Sequence, residues 1–67
     1  MREPYSLEAE HGVLGAMMIR PELIDLLTAD LRAEDYYFGD NAEVHRAIVS
    51  LQSDNQPVDF LTVAERI

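Results

Sequence analysis

The chain has 67 residues, room for one small domain, and its 13 acidic and 5 basic residues give a formal net charge of −8. Nucleic-acid binding draws most of its affinity from lysine and arginine contacts to phosphates, so this balance argues against direct binding of DNA or RNA. The lack of cysteine excludes disulfides and thiolate metal sites.

Size and hydropathy limit the classes of protein further. A chain this short buries only about 60% of the surface that its unfolded form exposes, so we expect it to need support from more chain or from another subunit. No apolar run approaches the roughly 20 residues that span a bilayer, and the first residues do not resemble a signal peptide. We therefore expect a cytoplasmic protein with no membrane partner.

The first helix is predicted to run from Leu7 to about Ile19, after a flexible lead-in at residues 1–5. Ser6 is a good N-cap, because its hydroxyl can accept from the first free backbone amides. Apolar residues recur at spacings of three and four, as an amphipathic helix requires. They are Leu7, Val13, Leu14, Met17 and Met18.

Two glycines, Gly12 and Gly15, interrupt this helix. Each costs about 1 kcal/mol relative to alanine. That cost indicates close approach by another element, because glycine lacks the side chain that would hold a neighbour away. The neighbour could belong to the same chain or to a second subunit.

The second helix is predicted at residues 21–29, because proline suits the first turn of a helix. Residues 30–40 are predicted to form a loop that contains three consecutive aromatics, Tyr36, Tyr37 and Phe38. Consecutive side chains reach one core only if the backbone turns between them. We expect one or two of them in the core and another at the surface as an interface anchor.

Two further helices follow in the prediction. Asp40 and Glu43 resemble a capping box for the third, which runs to about Ser53. Asn55 suits a left-handed turn, and Asp59 is the expected N-cap of a fourth helix that the chain end interrupts. The third helix has one apolar stripe, formed by Val44, Ala47, Ile48 and Leu51.

These elements predict an all-α fold, a small orthogonal bundle of about four short helices over residues 6–67. Short strands at Ile48-Val49 or at residues 58–63 are the alternative, but the capping residues favour helix. A fourth helix that is interrupted at Ile67 indicates a piece of a larger helical domain.

The sequence offers little reactive chemistry. A phosphate-binding loop of the Walker type needs a lysine, and this chain has none. His11 and His45 are its two imidazoles, too few for a metal site without converging carboxylates. We therefore expect no enzyme, no cofactor and no metal in this chain.

Two blocks of sequence, one at residues 5–18 and one at residues 51–65, resemble the N-terminal domain of DnaB-type replicative DNA helicases. Residues 5–18, YSLEAEHGVLGAMM, are similar to the family's opening pattern S-[IL]-E-A-E-x-x-[VL]-L-G-[GA]-[LM]. Residues 51–65, LQSDNQPVDFLTVAE, are similar to its L-x-x-x-G-x-P-[IV]-D-x-x-[TL]-[LV]-x-E segment. The chain departs from the family where NAEVH at residues 41–45 replaces a His-Arg-x-Ile-Phe run, and where Asn55 replaces a turn glycine. These departures suggest a divergent member, of bacterial or phage origin.

The resemblance implies the globular head of that domain, which in the family continues with further helices. Such domains precede a RecA-like motor that uses ATP and Mg²⁺ and binds and unwinds DNA. They pair into the collar of a hexameric ring and dock primase and the helicase loader. The implied function is thus a non-catalytic interaction and oligomerisation module, with self-association as the contact most expected of this chain.

The candidate contact residues are Gly12, Gly15, Tyr36, Tyr37 and Phe38. Ordinary packing within the monomer is the alternative for each of them. For the whole chain the alternative is a stand-alone acidic helical adaptor, or a DNA mimic that blocks a basic nucleic-acid site.

Overall fold

A computed structural model describes residues 7–67, so the predicted lead-in and the Ser6 cap lie outside the described residues. Four α-helices occur in this range: α1, Leu7–Ile19; α2, Ile24–Thr28; α3, Gly39–Ser53; and α4, Phe60–Arg66. Two short 3₁₀ helices, Pro21–Leu23 and Ala33–Asp35, precede α2 and α3. Within residues 7–67 there is no strand, so the all-α prediction is confirmed.

The longest helix, α3, organises the fold. It contacts α1, α4 and the 3₁₀ helix at Ala33–Asp35, while α1 also contacts α2. The core lies between these elements, and Met17, Ile24 and Ile48 are its fully buried large side chains. One residue from each of α1, α2 and α3 therefore fills the centre. The remaining core residues are Leu14, Tyr36, Ala42, Ala47, Leu51, Val58 and Val63.

The second helix differs from its prediction. Pro21 does open a helical segment, but the first turn, Pro21–Leu23, is a 3₁₀ helix, and α2 proper ends at Thr28. Proline fixes φ near a helical value and donates no hydrogen bond, so it fits a tight first turn. The loop predicted at residues 30–40 likewise contains a 3₁₀ helix at Ala33–Asp35.

The predicted capping box at the third helix is wrong. The helix begins at Gly39, and its N-cap is Phe38. The side chain of Phe38 makes no cap hydrogen bond. Asp40 lies inside the first turn, and Glu43 instead accepts a hydrogen bond of 2.9 Å from Arg46. The backbone amides of Asn41 and Ala42 donate to the carbonyl oxygen of Phe38, at 3.0 and 3.2 Å.

The last turn and helix follow the prediction. Asn55 has φ 58°, the left-handed conformation that closes α3. Asp59 caps α4: its Oδ1 accepts from the Thr62 amide at 2.9 Å, and the Thr62 hydroxyl oxygen accepts from the Asp59 amide at 2.9 Å. This reciprocal pair satisfies two amides at the start of a short helix.

Candidate contact surface

The three consecutive aromatics divide between core and surface, as predicted. Tyr36 is buried, Phe38 is half-buried, and Tyr37 is 58% exposed. The rings of Tyr37 and Phe38 meet edge to face, with centroids 5.0 Å apart. Among the three, Tyr37 is the residue that a partner could reach, and its role as a contact stays a prediction.

A carboxylate from α1 holds this aromatic segment in place. Glu10 Oε2 accepts from the backbone amide of Tyr37 at 2.7 Å, and Oε1 accepts from the Phe38 amide at 3.4 Å and from Asn41 Nδ2 at 2.8 Å. These donors surround the start of α3, where a negative charge is favourable. We call this arrangement the Glu10 clamp, and it ties the two residues that lead into α3, together with the Asn41 side chain, to α1.

The clamp changes the acidity of its own carboxylate. Partial burial of Glu10 would raise its pKa, but the hydrogen bonds from Asn41 and from the amides of Tyr37 and Phe38, with a small contribution from His11, outweigh that effect. The pKa of Glu10 is therefore lowered from 4.5. Hydrogen bonds that stabilise the charged form have this effect on a carboxyl group. At neutral pH the clamp carries a full negative charge.

Within residues 7–67 no element packs closely against the two glycines. A Cβ atom added at Gly12 or Gly15 would find no atom of these residues within 4 Å. Gly15 instead lines an open groove of about 360 Å³, whose walls are largely apolar. The space that its missing side chain leaves is thus available to something outside the described chain. The other residues of this groove are His11, Leu14, Met18, Asn41, Val44 and Phe60.

Asn41 connects the groove to the clamp. It lines the groove and also donates to Glu10, so the Gly15 groove, the clamp and the aromatic segment form a continuous surface. Phe60, at the start of α4, also lines the groove and is 63% exposed. Gly12 is exposed on the same helix as Gly15. We call this region the Gly15 surface. Four of the five predicted contact residues therefore lie on or next to the Gly15 surface. The exception is Tyr36.

The fifth residue, Tyr36, belongs to a buried polar pair that sequence reasoning missed. Its hydroxyl lies 2.9 Å from Nδ1 of His45, and the two ring centroids are 5.1 Å apart. Only 4% of His45 is exposed, although histidine is usually found nearer the surface. The signal was present in the spacing, because position 45 lies three residues before Ile48 on the inner face of α3. Tyr36 is therefore a core residue in this chain, and its role as a partner contact stays a prediction.

Burial shifts the acidity of both rings. Burial, together with the nearby carboxylates Glu10 and Asp35, raises the pKa of Tyr36 to about 12. Burial and then the charge of Arg46 lower the pKa of His45 below 6.5, against smaller opposite effects of Asp35 and Glu34. The pair is thus a neutral phenol beside a neutral imidazole at physiological pH.

Residues 7–67 contain no group of three or more histidine and acidic side chains placed to hold a metal ion. In the same range no helix is long and apolar enough to cross a bilayer. Large apolar side chains are nevertheless exposed on several elements, among them Ile19, Leu26, Phe60 and Leu61. The described fold therefore carries apolar side chains on its outer surface as well as in its core.

Comparison with known proteins gives a uniform result. Residues 2–67 match the family model described as the DnaB-like helicase N terminal domain. The replicative DNA helicase DnaB of Rhodothermus marinus is 44% identical over 64 residues, which are 96% of this chain and 7% of that protein. The replicative DNA helicase DnaC of Bacillus subtilis (strain 168) is 31% identical over 96% of this chain and 14% of that protein. The chain thus spans a small part of these relatives.

A solved structure shows the same fold. The crystal structure of the N-terminal domain of DnaB helicase from Mycobacterium tuberculosis aligns with a TM-score of 0.89 and 34% identity. The alignment covers 97% of this chain and 45% of that domain. The family predicted from the two sequence blocks is confirmed, as is the prediction that this segment lies outside the motor domain: the chain belongs to the DnaB-like helicase N-terminal domain family.

Proposed function

We propose that this chain is a non-catalytic contact module of a replicative DNA helicase and that it associates with a second copy through the Gly15 surface. The observation that carries the proposal is the open, largely apolar groove beside an exposed Phe60. Exposed apolar surface of this kind often marks a protein–protein contact. Gly15 packs against no other element of residues 7–67, and a role in a contact with a second copy would account for it.

The occupant that suits the groove best is an apolar side chain of another copy. A two-fold dimer places the same patch on both partners, so each Phe60 could enter the groove of the other. Leu14, Met18 and Val44 would supply the apolar walls. Burying one large apolar side chain contributes about 1.5–3 kcal/mol, which is modest beside the entropy lost on association. We therefore expect weak self-association.

The net charge of −8 opposes this association. Like charges on two copies repel each other, and salt screens that repulsion over a Debye length of roughly 8 Å at physiological ionic strength. Self-association should thus strengthen as the salt concentration rises. A dimer held mainly by ion pairs would show the opposite dependence on salt.

Further roles extend the proposal to the whole protein. The relatives are replicative DNA helicases by name, and this chain spans 7% to 14% of the two described above. We propose that the full-length protein unwinds DNA with ATP as a hexameric ring in the cytoplasm. In that ring the present domain would contribute to the collar and to the docking of primase and loader.

Sedimentation velocity at several protein concentrations tests self-association. We expect the average sedimentation coefficient to rise with concentration, and Phe60→Ser to abolish that rise because it removes the apolar side chain at the groove. Leu26→Ser is the matched control, since Leu26 is 69% exposed on α2 and lines none of the Gly15 surface. A strict monomer at all concentrations, or equal effects of the two variants, would contradict the proposal.

A stand-alone DNA mimic is the second candidate, and the acidic composition is the observation that favours it. A mimic should compete with DNA for a basic protein, and this competition should weaken steeply with salt. Competition measured by fluorescence anisotropy at two salt concentrations distinguishes the two candidates.

A further inference from the structure

A second groove lies away from the Gly15 surface, between α3 and the segment that precedes the aromatics. Its volume is about 540 Å³, and its apolar lining comes from Leu31, Ala33 and Val49. Two arginines, Arg32 and Arg46, lie on it. The α3 residues here differ from those that line the Gly15 groove, so the two grooves can be occupied independently.

The Arg32 guanidinium has no ion-pair partner within 4 Å among residues 7–67, although the Arg32 backbone amide donates to the Asp35 carboxylate at 2.9 Å. Three other arginines in residues 7–67 form ion pairs within 4 Å: Arg20 with Glu22, Arg46 with Glu43, and Arg66 with Asp54. No such carboxylate pairs with Arg32 among residues 7–67, although acidic residues outnumber basic ones 13 to 5. An unpaired guanidinium beside an apolar surface favours an external carboxylate, because its planar donors match that group.

The buried His45 adds a second donor to the groove. Its Nδ1 is occupied by the Tyr36 hydroxyl at 2.9 Å. No buried side-chain nitrogen or oxygen in residues 7–67 lacks a partner, and Nε2 donates to none of these residues. Nε2 is therefore open to solvent, and His45 lines this groove. The buried phenol needs an acceptor for its proton, and Nδ1 is the acceptor within reach. This assigns the imidazole proton to Nε2, which then donates into the groove.

We propose that this groove binds a segment of a partner protein in which one carboxylate side chain lies next to an apolar side chain. The carboxylate accepts from Arg32 and from Nε2 of His45, and the apolar side chain packs against Leu31 and Val49. Glu34 lies on the same groove and repels additional negative charge, so the site selects a single carboxylate. Tyr36 acts as a positioning residue, because it fixes which nitrogen of His45 donates. This site goes beyond the self-association proposed above and does not depend on it.

The first test uses the unaltered protein and two probes. We would titrate the ¹⁵N-labelled chain with the acetylated, amidated peptide GDLFG and with its counterpart GNLFG, following amide shifts by NMR. Physiological ionic strength limits the repulsion between the acidic chain and the acidic peptide. We expect a dissociation constant for GDLFG on the order of 1 mM, with shifts centred on residues 31–34 and 45–49. GNLFG should bind at least about fivefold more weakly, since it lacks the charge.

Variants then test the assigned donors. Arg32→Ala and Tyr36→Phe should each weaken binding of GDLFG about fivefold, whereas Arg20→Ala should leave it unchanged. Glu34→Gln should tighten binding about twofold, because it removes the repelling charge. The comparison of the two peptides on the unaltered chain stays decisive if a variant fails to fold.

Four outcomes would overturn the proposal. They are equal binding of the two peptides, no effect of Arg32→Ala in a folded variant, shifts confined to the Gly15 groove, and displacement of GDLFG by a single-stranded oligonucleotide. The last would assign the groove to phosphate rather than to a peptide carboxylate.

Discussion

Removal of the Glu10 carboxylate should lower the free energy of unfolding more than removal of an ordinary surface charge. In Glu10→Ala the amides of Tyr37 and Phe38 lose their acceptor, and Asn41 loses the partner of its Nδ2. The turn that leads into α3 then loses its link to α1, and the side chain of the N-cap residue Phe38 makes no hydrogen bond that would replace it. The change touches no apolar core residue, so its effect isolates the clamp.

The size of the effect follows from two contributions. Loss of the hydrogen bond from the Tyr37 amide to a charged acceptor costs about 1.5–3 kcal/mol, and less where water takes the place of the carboxylate. Asn41 is only 6% exposed, and a buried donor without a partner costs about 1–3 kcal/mol, less if water replaces the carboxylate. The 3.4 Å bond to Phe38 is long and adds little. Allowing for water at this partly exposed site, we expect the free energy of unfolding to fall by about 2 kcal/mol.

Urea denaturation followed by circular dichroism at 222 nm measures this loss. Glu8→Ala is the matched control, because Glu8 also lies in the first turn of α1 and its substitution removes the same charge from the same helix. For a domain of this size, 1 kcal/mol moves the melting temperature by about 4–8 °C, so Glu10→Ala should melt roughly 8–16 °C lower than the unaltered chain. Glu8→Ala should change the midpoint little.

The pH dependence gives an independent check. Because the pKa of Glu10 is lowered from 4.5 in the fold, the clamp stabilises the fold fully above that pH and loses its effect as the pH falls further. The difference between Glu10→Ala and Glu8→Ala should therefore shrink under acid conditions. If the two variants unfold at the same urea concentration at pH 7, the clamp does not stabilise α3 and this reasoning is wrong.

Three further predictions concern other parts of the fold. Gly12→Ala should raise the free energy of unfolding by about 1 kcal/mol with an unchanged urea slope, because a Cβ there meets nothing within 4 Å. Asn55→Gly should stabilise the chain by up to about 1 kcal/mol and Asn55→Val should destabilise it, because φ at this position is 58°. Thermal melts of both variants measure this, and the opposite order would contradict a left-handed turn. Burial lowers the pKa of His45, so near pH 6.5 the imidazole binds a proton in the unfolded chain but not in the folded one. The free energy of unfolding should therefore fall as the pH drops below that value. An NMR titration of His45 that gives a pKa at or above 6.5 would contradict this last expectation.

Features encoded by neighbouring residues could be predicted from the sequence. The bounds of α1, the left-handed Asn55 and the Asp59 cap depend on residues within a few positions of each other. The division of the three aromatics between core and surface also followed from local geometry. The all-α fold class also followed from local patterns, since the capping residues favoured helix over short strands, and the resemblance to the family agreed with it.

Features that join distant segments could not be predicted in this way. Asp40 has the right chemistry for a cap, but the carboxylate that serves α3 comes from Glu10, 27 to 31 residues away from its donors. The pairing of Tyr36 with His45 likewise needs the intervening turn to bring them together. The open space at Gly15 depends on where α3 and α4 lie. Each of these requires the packed arrangement of the helices.

The distance along the chain that the Glu10 clamp bridges has a consequence for folding kinetics. Closing a loop of roughly thirty residues costs entropy that grows with the logarithm of its length, and it must be lost before the contact forms. Helices form locally in under a microsecond, so α3 can form before Glu10 reaches the amides of Tyr37 and Phe38. The clamp should then be absent from the folding transition state. Its loss would accelerate unfolding and leave the refolding rate nearly unchanged, making this carboxylate a determinant of how long each molecule stays folded.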